Sequence, residues 1–150
     1  MSGSVYPWRP SSALLLASGV LVACIGVFFI FFRPALLPED VRYMGLSPEQ
    51  VALLGPAFQS WLRRVFTVLG GFAVASGVLT VGLAATSFRT RSRIALFATA
   101  AGGFTSIGLM SVVNMMIDSD FKWPLLGMAA VWFASTVTYV FEGFGASPTK

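Results

Sequence analysis

The polar residues best able to do chemistry in this chain fall mainly into two short segments. The first, LPEDVRYMGLSPEQ at residues 37–50, holds three of the six acidic residues of the protein. The second follows the apolar run at residues 94–117 and contains two more. Together with polar residues near the adjoining helix ends, they give the candidate ligand-binding or partner-binding set: Glu39, Asp40, Arg42, Tyr43, Arg63, Arg64, Asn114, Asp118 and Asp120. We predict no catalytic residue and no metal ligand among them.

Two interpretations of these polar residues are open from the sequence. In the first, opposite charges pair as a ring of interfacial salt bridges that fixes the helix ends. In the second, the acidic loop, with Arg42 and Tyr43, roofs a small polar pocket that binds the head of a lipid, a quinone or another amphiphile. Proton-coupled transport is not favoured, because it needs an ionisable residue deep within a membrane span. Every acid in this sequence lies at the end of an apolar run.

The residue types that are missing exclude several kinds of chemistry. The chain has no histidine, so it offers no histidine base, no histidine haem ligand and no zinc cluster of cysteine and histidine. The single cysteine, Cys24, excludes an internal disulfide. It ends a Leu-Val-Ala-Cys sequence of the bacterial lipoprotein type, but the apolar IGVFFIFF follows where a polar spacer is expected. We therefore expect Cys24 to be a small residue inside a packed helix. No covalent haem, zinc or nucleotide site is evident, and a non-enzymatic function is favoured over an enzymatic one.

The elements that must position these residues are membrane-spanning helices. Of 150 residues, 56% are hydrophobic and 11% are charged, against roughly 25% charged in soluble domains. Four stretches without a charged side chain approach or exceed the roughly 20 residues that a helix needs to cross a bilayer. We predict a single all-α domain, a bundle of four transmembrane helices with a structured outer loop at 33–63; the spans are about 12–32, 64–87, 94–117 and 123–142.

The outer loop is predicted to contain a short interfacial helix. Ser47 suits its N-cap, Pro48 suits the first helical position, and Gln50 lies where its side chain can bond back to the cap residue. Gly55-Pro56 is expected to bend the chain before a helix resumes into the second span. The acidic stretch is thus, at minimum, a turn and cap that starts this helix.

Small residues predict how the spans pack, because lipid tails give no hydrophobic drive for helices to associate. Gly71 and Ala75 in the second span have four-residue spacing, as have Gly102 and Ser106 in the third. We expect these two helices to pack antiparallel along those faces. Trp132 lies in the middle of the fourth span, where lipid-facing bulk or a packing anchor explains it better than a cofactor contact.

Positive charge predicts the orientation of the protein. With four spans, both termini lie on the same side as the loop RTRSR, which holds Arg89, Arg91 and Arg93 and no acid. Because positive loops stay in the cytoplasm, we predict a multi-pass protein of the bacterial inner membrane. Its termini are expected to be cytoplasmic and its loop 33–63 periplasmic.

The segment LPEDVRYMGLSPEQV and the later segment VFTVLGGFAVASGVL together resemble the signature of small bacterial four-helix membrane proteins that carry a domain of unknown function. The resemblance covers residues 33–80. Similar proteins often carry a histidine just before the Gly-rich second helix, where this sequence has Arg64-Val65-Phe66. The resemblance implies the four-helix topology and supplies no activity to transfer. It also implies a recurring structural turn formed by Leu37, Pro38, Asp40, Tyr43, Met44 and Gly45.

The function expected first is that of a non-enzymatic accessory or scaffolding subunit of a bacterial inner-membrane complex. Its partners would be other integral membrane proteins and lipids, and no nucleic acid. The alternative is a binding protein or enzyme for a lipophilic small molecule, such as a quinone or a lipid, in a polar pocket at the outer end of the second and third spans. A cavity there would favour the alternative if it were lined by Asn114, Asp118, Arg64, Asp40 and Tyr43.

Overall fold

A computed structural model describes residues 8–144 of the chain, and every regular element in that range is helical. The prediction of an all-α fold is confirmed. The elements are α1 (Pro10–Phe31), α2 (Pro38–Met44), α3 (Pro48–Leu53), α4 (Gly55–Ala85), α5 (Arg93–Gly103), a π-helical turn (Phe104–Gly108), α6 (Leu109–Met116) and α7 (Lys122–Phe144).

Four helices are long and apolar enough to cross a membrane: Pro10–Phe31, Gly55–Ala85, Arg93–Met116 and Lys122–Gly143. The third combines α5, the π-helical turn and α6. Their number and places agree with the four apolar stretches of the sequence. The second begins earlier than the apolar stretch, because Pro56 suits a helix start and no helix-breaking residue lies between it and the span.

Helix α1 lies at the centre of the fold, between α4 and α7, and α7 packs in turn against the third span. Glycines let α1 and α4 approach closely. A Cβ on Gly26 would lie 2.5 Å from the backbone N of Val74, and one on Gly77 would lie 2.5 Å from the backbone N of Ala23. This close backbone contact provides the packing that the hydrophobic effect cannot provide between helices in lipid.

The expected antiparallel packing of the second and third spans along their small residues is wrong. A Cβ added to Gly71 or Gly102 would meet no atom of the described residues within 4 Å. The α1–α4 contact uses a seven-residue spacing instead, with Gly70 and Gly77 of α4 facing the matching glycines of α1. Residues seven apart lie on one helix face. In α4 the face that carries Gly70 and Gly77 packs against α1, and Gly71 lies outside this contact.

The helix start predicted at Ser47 is confirmed. Ser47 Oγ accepts a hydrogen bond from Gln50 N–H at 3.3 Å, and the Gln50 side chain accepts one from Ser47 N–H at 2.8 Å. Helix α3 ends at Leu53, and Gly55 has a φ of 69° at the predicted bend before α4. This left-handed conformation suits glycine, which has no Cβ to clash.

Residues 38–44, expected within a turn, form helix α2. Pro38 fits the first helical position, where the missing N–H costs no hydrogen bond. The Asp40 carboxylate accepts a hydrogen bond from Leu37 N–H at 2.9 Å and so caps the start of the helix. Gly45 ends it in a left-handed conformation, with a φ of 65°.

Two single-residue expectations had different outcomes. Cys24 is exposed on α1 and is not packed inside the bundle, because α1 buries the face that carries Gly19, Val22 and Gly26. Trp132 is a packing anchor: its Nε1 donates a hydrogen bond to the backbone oxygen of Thr99 at 2.9 Å. Its ring packs against the two core clusters of the protein, Leu15, Ala84, Phe88, Ala95 and Tyr139 in one, and Val22, Ile107 and Leu125 in the other.

Candidate functional site

The candidate site is a cavity of about 500 Å³ between α1, α6 and α7, at the end of the bundle where α2 and α3 lie. We call it the loop-end cavity. Its volume is within the range of roughly 300–1,000 Å³ that is common for small-molecule sites. Most of its wall is apolar and includes Ile25, Phe28, Phe66, Met110, Leu125 and Met128.

The polar lining comes from the segment that follows α1, from α2, and from α6 and the turn after it. It comprises Arg33, Glu39, Asp40, Asn114 and Ser119. The local sequence explains this placement. Pro34 and Pro38 stiffen the chain after α1. Helix α2 begins at Pro38, and its first turn places two consecutive acids, Glu39 and Asp40, at the cavity.

Arg33 is the best-connected of these side chains, and only 8% of it is exposed. Its guanidinium donates to the backbone oxygens of Pro34 and Ala35, at 2.9 and 3.3 Å, and to Asp40 Oδ2 at 2.9 Å. Its central carbon lies 3.3 Å from the centre of the Phe66 ring. Burial lowers the pKa of Arg33 from its ordinary value, and the neighbouring Asp40 carboxylate opposes that shift. Arg33 therefore joins the end of α1 to α2 and α4.

Glu39 is more deeply buried but has fewer partners. Only 2% of it is exposed, and Ser119 Oγ donates a hydrogen bond to its Oε1 at 3.2 Å. Within residues 8–144, this is the one hydrogen bond that the carboxylate makes. A carboxylate can accept about four, so most of the bonding capacity of Glu39 is left unused at the cavity.

Three of the nine candidate residues from the sequence line this cavity: Glu39, Asp40 and Asn114. Asn114 Nδ2 donates to the backbone oxygen of Met110 at 2.9 Å. Asp118, Arg64 and Tyr43, which were expected to line the same cavity, do not line it. The cavity lies mainly against the first, third and fourth spans, and the second span, to which the sequence pointed together with the third, contributes Phe66. The six candidate residues outside it are Arg42, Tyr43, Arg63, Arg64, Asp118 and Asp120.

The six candidate residues outside the cavity are all exposed. Arg42 donates to Asp120 Oδ1 at 3.1 Å, and both side chains are more than half exposed. Asp118 pairs with Lys122 one helical turn away, and this hydrogen bond holds the pKa of Asp118 below its ordinary value. Arg63 and Arg64 are exposed and form no ion pair within the described part of the chain.

The chain matches no protein-family model, no curated protein and no solved structure. The resemblance to small bacterial four-helix membrane proteins therefore stays a prediction. The function has to be argued from the geometry of the chain itself. No group of three or more metal-ligating side chains lies within residues 8–144.

Sequence reasoning missed Arg33 and Ser119, although both form the polar end of the cavity. For Arg33 a signal existed: it lies directly after an uninterrupted apolar span, one helical turn after Phe29, whose ring centre is 5.4 Å from the guanidinium carbon. Ser119 gave no signal. A serine between two aspartates resembles an ordinary solvated turn, and only the fold shows that it is 1% exposed beneath Glu39.

A second polar cluster, also missed, lies at the opposite end of the bundle, where α1 begins and α7 ends. We call it the terminal-end cluster; it comprises Ser11, Arg91, Ser92, Tyr139 and Glu142. Glu142 accepts hydrogen bonds from Ser11 N–H at 3.1 Å, from Ser11 Oγ at 2.6 Å and from Arg91 Nη1 at 3.1 Å. The N-cap residue of α1 gives no side-chain hydrogen bond. Glu142 therefore supplies from α7 both the cap and the negative charge that a helix start favours.

A further opening, of about 350 Å³, lies between α4 and the third span, and residues of α1 form part of its lining. We call it the lateral groove. Small and hydroxyl residues make up much of its lining, including Ser76, Thr80, Thr99, Gly102, Gly103 and Ser106. Because α4 and α5 barely touch, the groove separates the two spans that were expected to pack together.

Proposed function

We propose that this protein binds a lipophilic small molecule of the membrane, of the lipid or quinone class, in the loop-end cavity. One observation carries the proposal: a mostly apolar cavity ends in a cluster of buried charged and polar side chains. Amphiphiles have the same division into an apolar body and a polar head. Small-molecule sites commonly combine apolar walls with a few fixed polar groups.

The position of the opening supports entry from the membrane. Leu21 and Cys24 both line the cavity and are both exposed on α1. They lie well inside the apolar span Pro10–Phe31. A molecule dissolved in the hydrocarbon could therefore enter between helices without first crossing into water. In the orientation expected from the arginine-rich loop, the polar end of the cavity faces the periplasm of a bacterial inner membrane.

We assign binding rather than catalysis. The polar groups at the cavity are a guanidinium paired with a carboxylate, one further carboxylate, an amide, a hydroxyl and the thiol of Cys24. Acid–base and nucleophilic catalysis commonly use a nucleophile within hydrogen-bond reach of a base. The Ser119 hydroxyl is within hydrogen-bond reach of the Glu39 carboxylate, but no third group within residues 8–144 orients that carboxylate. Ser119 is only 1% exposed, and its oxygen already accepts a hydrogen bond from Phe121 N–H. The Cys24 thiol has no hydrogen bond to a base in the same part of the chain.

Co-purification tests this proposal. The protein is extracted from its native membrane in a mild detergent, and the lipophiles retained per chain are quantified by mass spectrometry after organic extraction. We expect Met110→Trp to remove the retained molecule, because Met110 lines the cavity and the larger ring would fill it. Val112→Trp is the matched control, since Val112 is exposed on the same helix and outside the cavity. Equal retention by wild type and Met110→Trp, or none by wild type, would contradict the proposal.

The lateral groove favours a second function, that of an accessory or scaffolding subunit. Membrane helices associate through small residues and hydroxyl groups that let backbones approach, and Gly102 in the groove leaves space that no atom of residues 8–144 fills. A helix of another integral membrane protein would fit such a surface. Gly102→Leu should then release stoichiometric partners during purification, whereas Gly127→Leu, also at an open position but outside the groove, should keep them. Retention of the partners by Gly102→Leu would rule the groove out.

A further inference from the structure

The polar end of the loop-end cavity has more free hydrogen-bond acceptors than free donors, and this difference points to the chemical class of the ligand head. The inference rests on the proposed function, because it concerns the occupant of the same cavity. It follows from which polar atoms the fold has already used.

The donors at the cavity are largely used within the protein. Of the five N–H donors of a guanidinium, three are used in Arg33: Nη1 donates to two backbone oxygens of the following segment, and Nη2 donates to Asp40. The face of the guanidinium is covered by the Phe66 ring. Ser119 Oγ donates to Glu39, and Asn114 Nδ2 donates to a backbone oxygen one helical turn earlier. A ligand head that needs donors would therefore find few.

The acceptors are largely unused. Glu39 Oε2 makes no hydrogen bond within residues 8–144, and Glu39 Oε1 makes one. Asn114 Oδ1 and Asp40 Oδ1 likewise accept none from that part of the chain. Each of these side chains lines the cavity. The site thus offers several oxygen acceptors at the end of an apolar space.

The charged side chains that line the cavity also carry a net negative charge, which favours a positively charged ligand head. Two carboxylates, Glu39 and Asp40, line the cavity against one guanidinium, Arg33. Arg33 is already paired with Asp40 at 2.9 Å. Glu39 therefore forms no salt bridge within the described residues, at 2% exposure, and the one positive charge that attracts it, on Arg33, is already paired with Asp40. A buried carboxylate without a counter-charge is costly unless a cation pairs with it.

We propose that the loop-end cavity binds a single-chain amphiphile whose head is a protonated amine. The ammonium group lies between Glu39 and Asn114, and the hydrocarbon chain lies along the apolar wall between α1 and α6. An ammonium carries up to three donors and no acceptor, which matches the free oxygens at the cavity. A fatty acid or an oxidised quinone presents acceptors to acceptors and is disfavoured.

Photo-crosslinking tests the class of head group directly. The full chain is reconstituted in phosphatidylcholine vesicles and labelled with hexadecylamine that carries a diazirine in the chain. Hexadecanol and hexadecanoic acid with the same diazirine are the matched probes. We expect the amine to label residues 21–29 and 110–128 saturably, about tenfold or more above the other two, as a charge-assisted hydrogen bond predicts.

Variants tie the preference to the named residues. Glu39→Gln keeps the size of the side chain and removes its charge, so labelling by the amine should fall to the level of the alcohol. Asn114→Leu should lower it in part. Glu49→Gln is the control, because Glu49 is an exposed acid on α3 outside the cavity. Labelling by the alcohol in the same two segments, with a single gel-filtration peak, shows that a variant has kept its fold.

The outcomes separate this inference from the proposed function. Equal saturable labelling by all three probes would overturn the amine head and leave lipophile binding intact, and so would an unchanged preference in Glu39→Gln. Preference for the acid would make Arg33 the recognition group and overturn the inference. No saturable labelling by any probe would contradict both proposals. If lysophosphatidylethanolamine displaces the probe as well as unlabelled hexadecylamine does, the source of the ammonium is a lipid head; if it does not, the source is a free amine.

Discussion

Each end of the bundle holds a glutamate, Glu39 buried and Glu142 partly buried, and the surroundings of the two differ. At the terminal end, Glu142 accepts three hydrogen bonds, two from the start of α1 and one from Arg91. At the loop end, Glu39 accepts one, from Ser119, and lines a cavity of about 500 Å³. A buried carboxylate whose partners all come from the chain belongs to the fold. One that keeps unused acceptors beside an apolar space is available to a ligand.

The largest expected effect is on stability at the terminal end. Glu142→Ala leaves Arg91 without its carboxylate and the start of α1 without its cap, and removing one partner of a largely buried pair typically costs about 3 kcal/mol. The free energy of unfolding can be followed by circular dichroism during titration with sodium dodecyl sulfate in mixed micelles. Glu39→Gln provides the comparison and should cost less than about 1 kcal/mol, since the glutamine amide oxygen can still accept from Ser119 and the variant removes a buried charge that has no salt bridge. Equal losses for the two variants would remove the distinction between the two ends.

Arg33→Lys is expected to have the next largest effect, because Arg33 is the part of the loop end that belongs to the fold. A lysine ammonium cannot reproduce the planar fork that reaches two backbone oxygens and a carboxylate while stacking on Phe66. We expect a loss of about 2 kcal/mol in the same titration, comparable to one charged hydrogen bond. A fully stable Arg33→Lys variant would show that the buried guanidinium does not hold α2 in place.

Tyr139→Phe should have a smaller effect at the terminal end. The Tyr139 hydroxyl donates to the backbone oxygen of Ser92 at 3.0 Å and so joins α7 to the start of α5. Its removal should lower the free energy of unfolding by about 1 kcal/mol, the typical net value of a hydrogen bond. Binding of a lipophile at the other end should be unchanged. A change in labelling of the loop-end cavity by this variant would contradict the independence of the two ends.

The smallest effect is expected for Asp118→Asn, outside both buried clusters. Asp118 is an exposed residue that pairs with Lys122, and exposed pairs contribute little to stability. Because Lys122 lowers its folded pKa, any contribution is present above the unfolded pKa of the carboxyl and is lost as the pH falls through the folded pKa. The unfolding midpoints of wild type and variant should therefore differ little at pH 7, and any small advantage of the wild type should shrink as the pH is lowered toward 3. A large difference at pH 7 would place Asp118 among the structural residues.

The parts of the fold that could be predicted from the sequence depend on local chemistry. Four long apolar stretches required four spanning helices, and Ser47 with Gln50 predicted the capping box of α3. Which helices pack together could not be predicted from local sequence. Helix α4 carries glycines on two neighbouring faces, and only the contact with the glycines of α1 shows that Gly70 and Gly77 lie at the interface.

The candidate site could be predicted only in part, for the same reason. The acidic loop drew attention to Glu39 and Asp40 by composition, and the end of the third span did so for Asn114. Arg33 is buried because α2 folds back onto it and because Phe66, on another helix, covers it. The contact between Ser11 and Glu142 joins residues 131 positions apart. Such pairings depend on the assembled bundle and have no signal in a short window of sequence.

The most direct test of lipophile binding at the loop end is native mass spectrometry of the chain released from its own membrane vesicles. Wild-type protein should carry one bound lipophile, visible as a discrete added mass. Met128→Trp should lack it, because Met128 lines the loop-end cavity and a larger ring would fill that space. An identical adduct on both proteins, or none on the wild type, would contradict binding in this cavity.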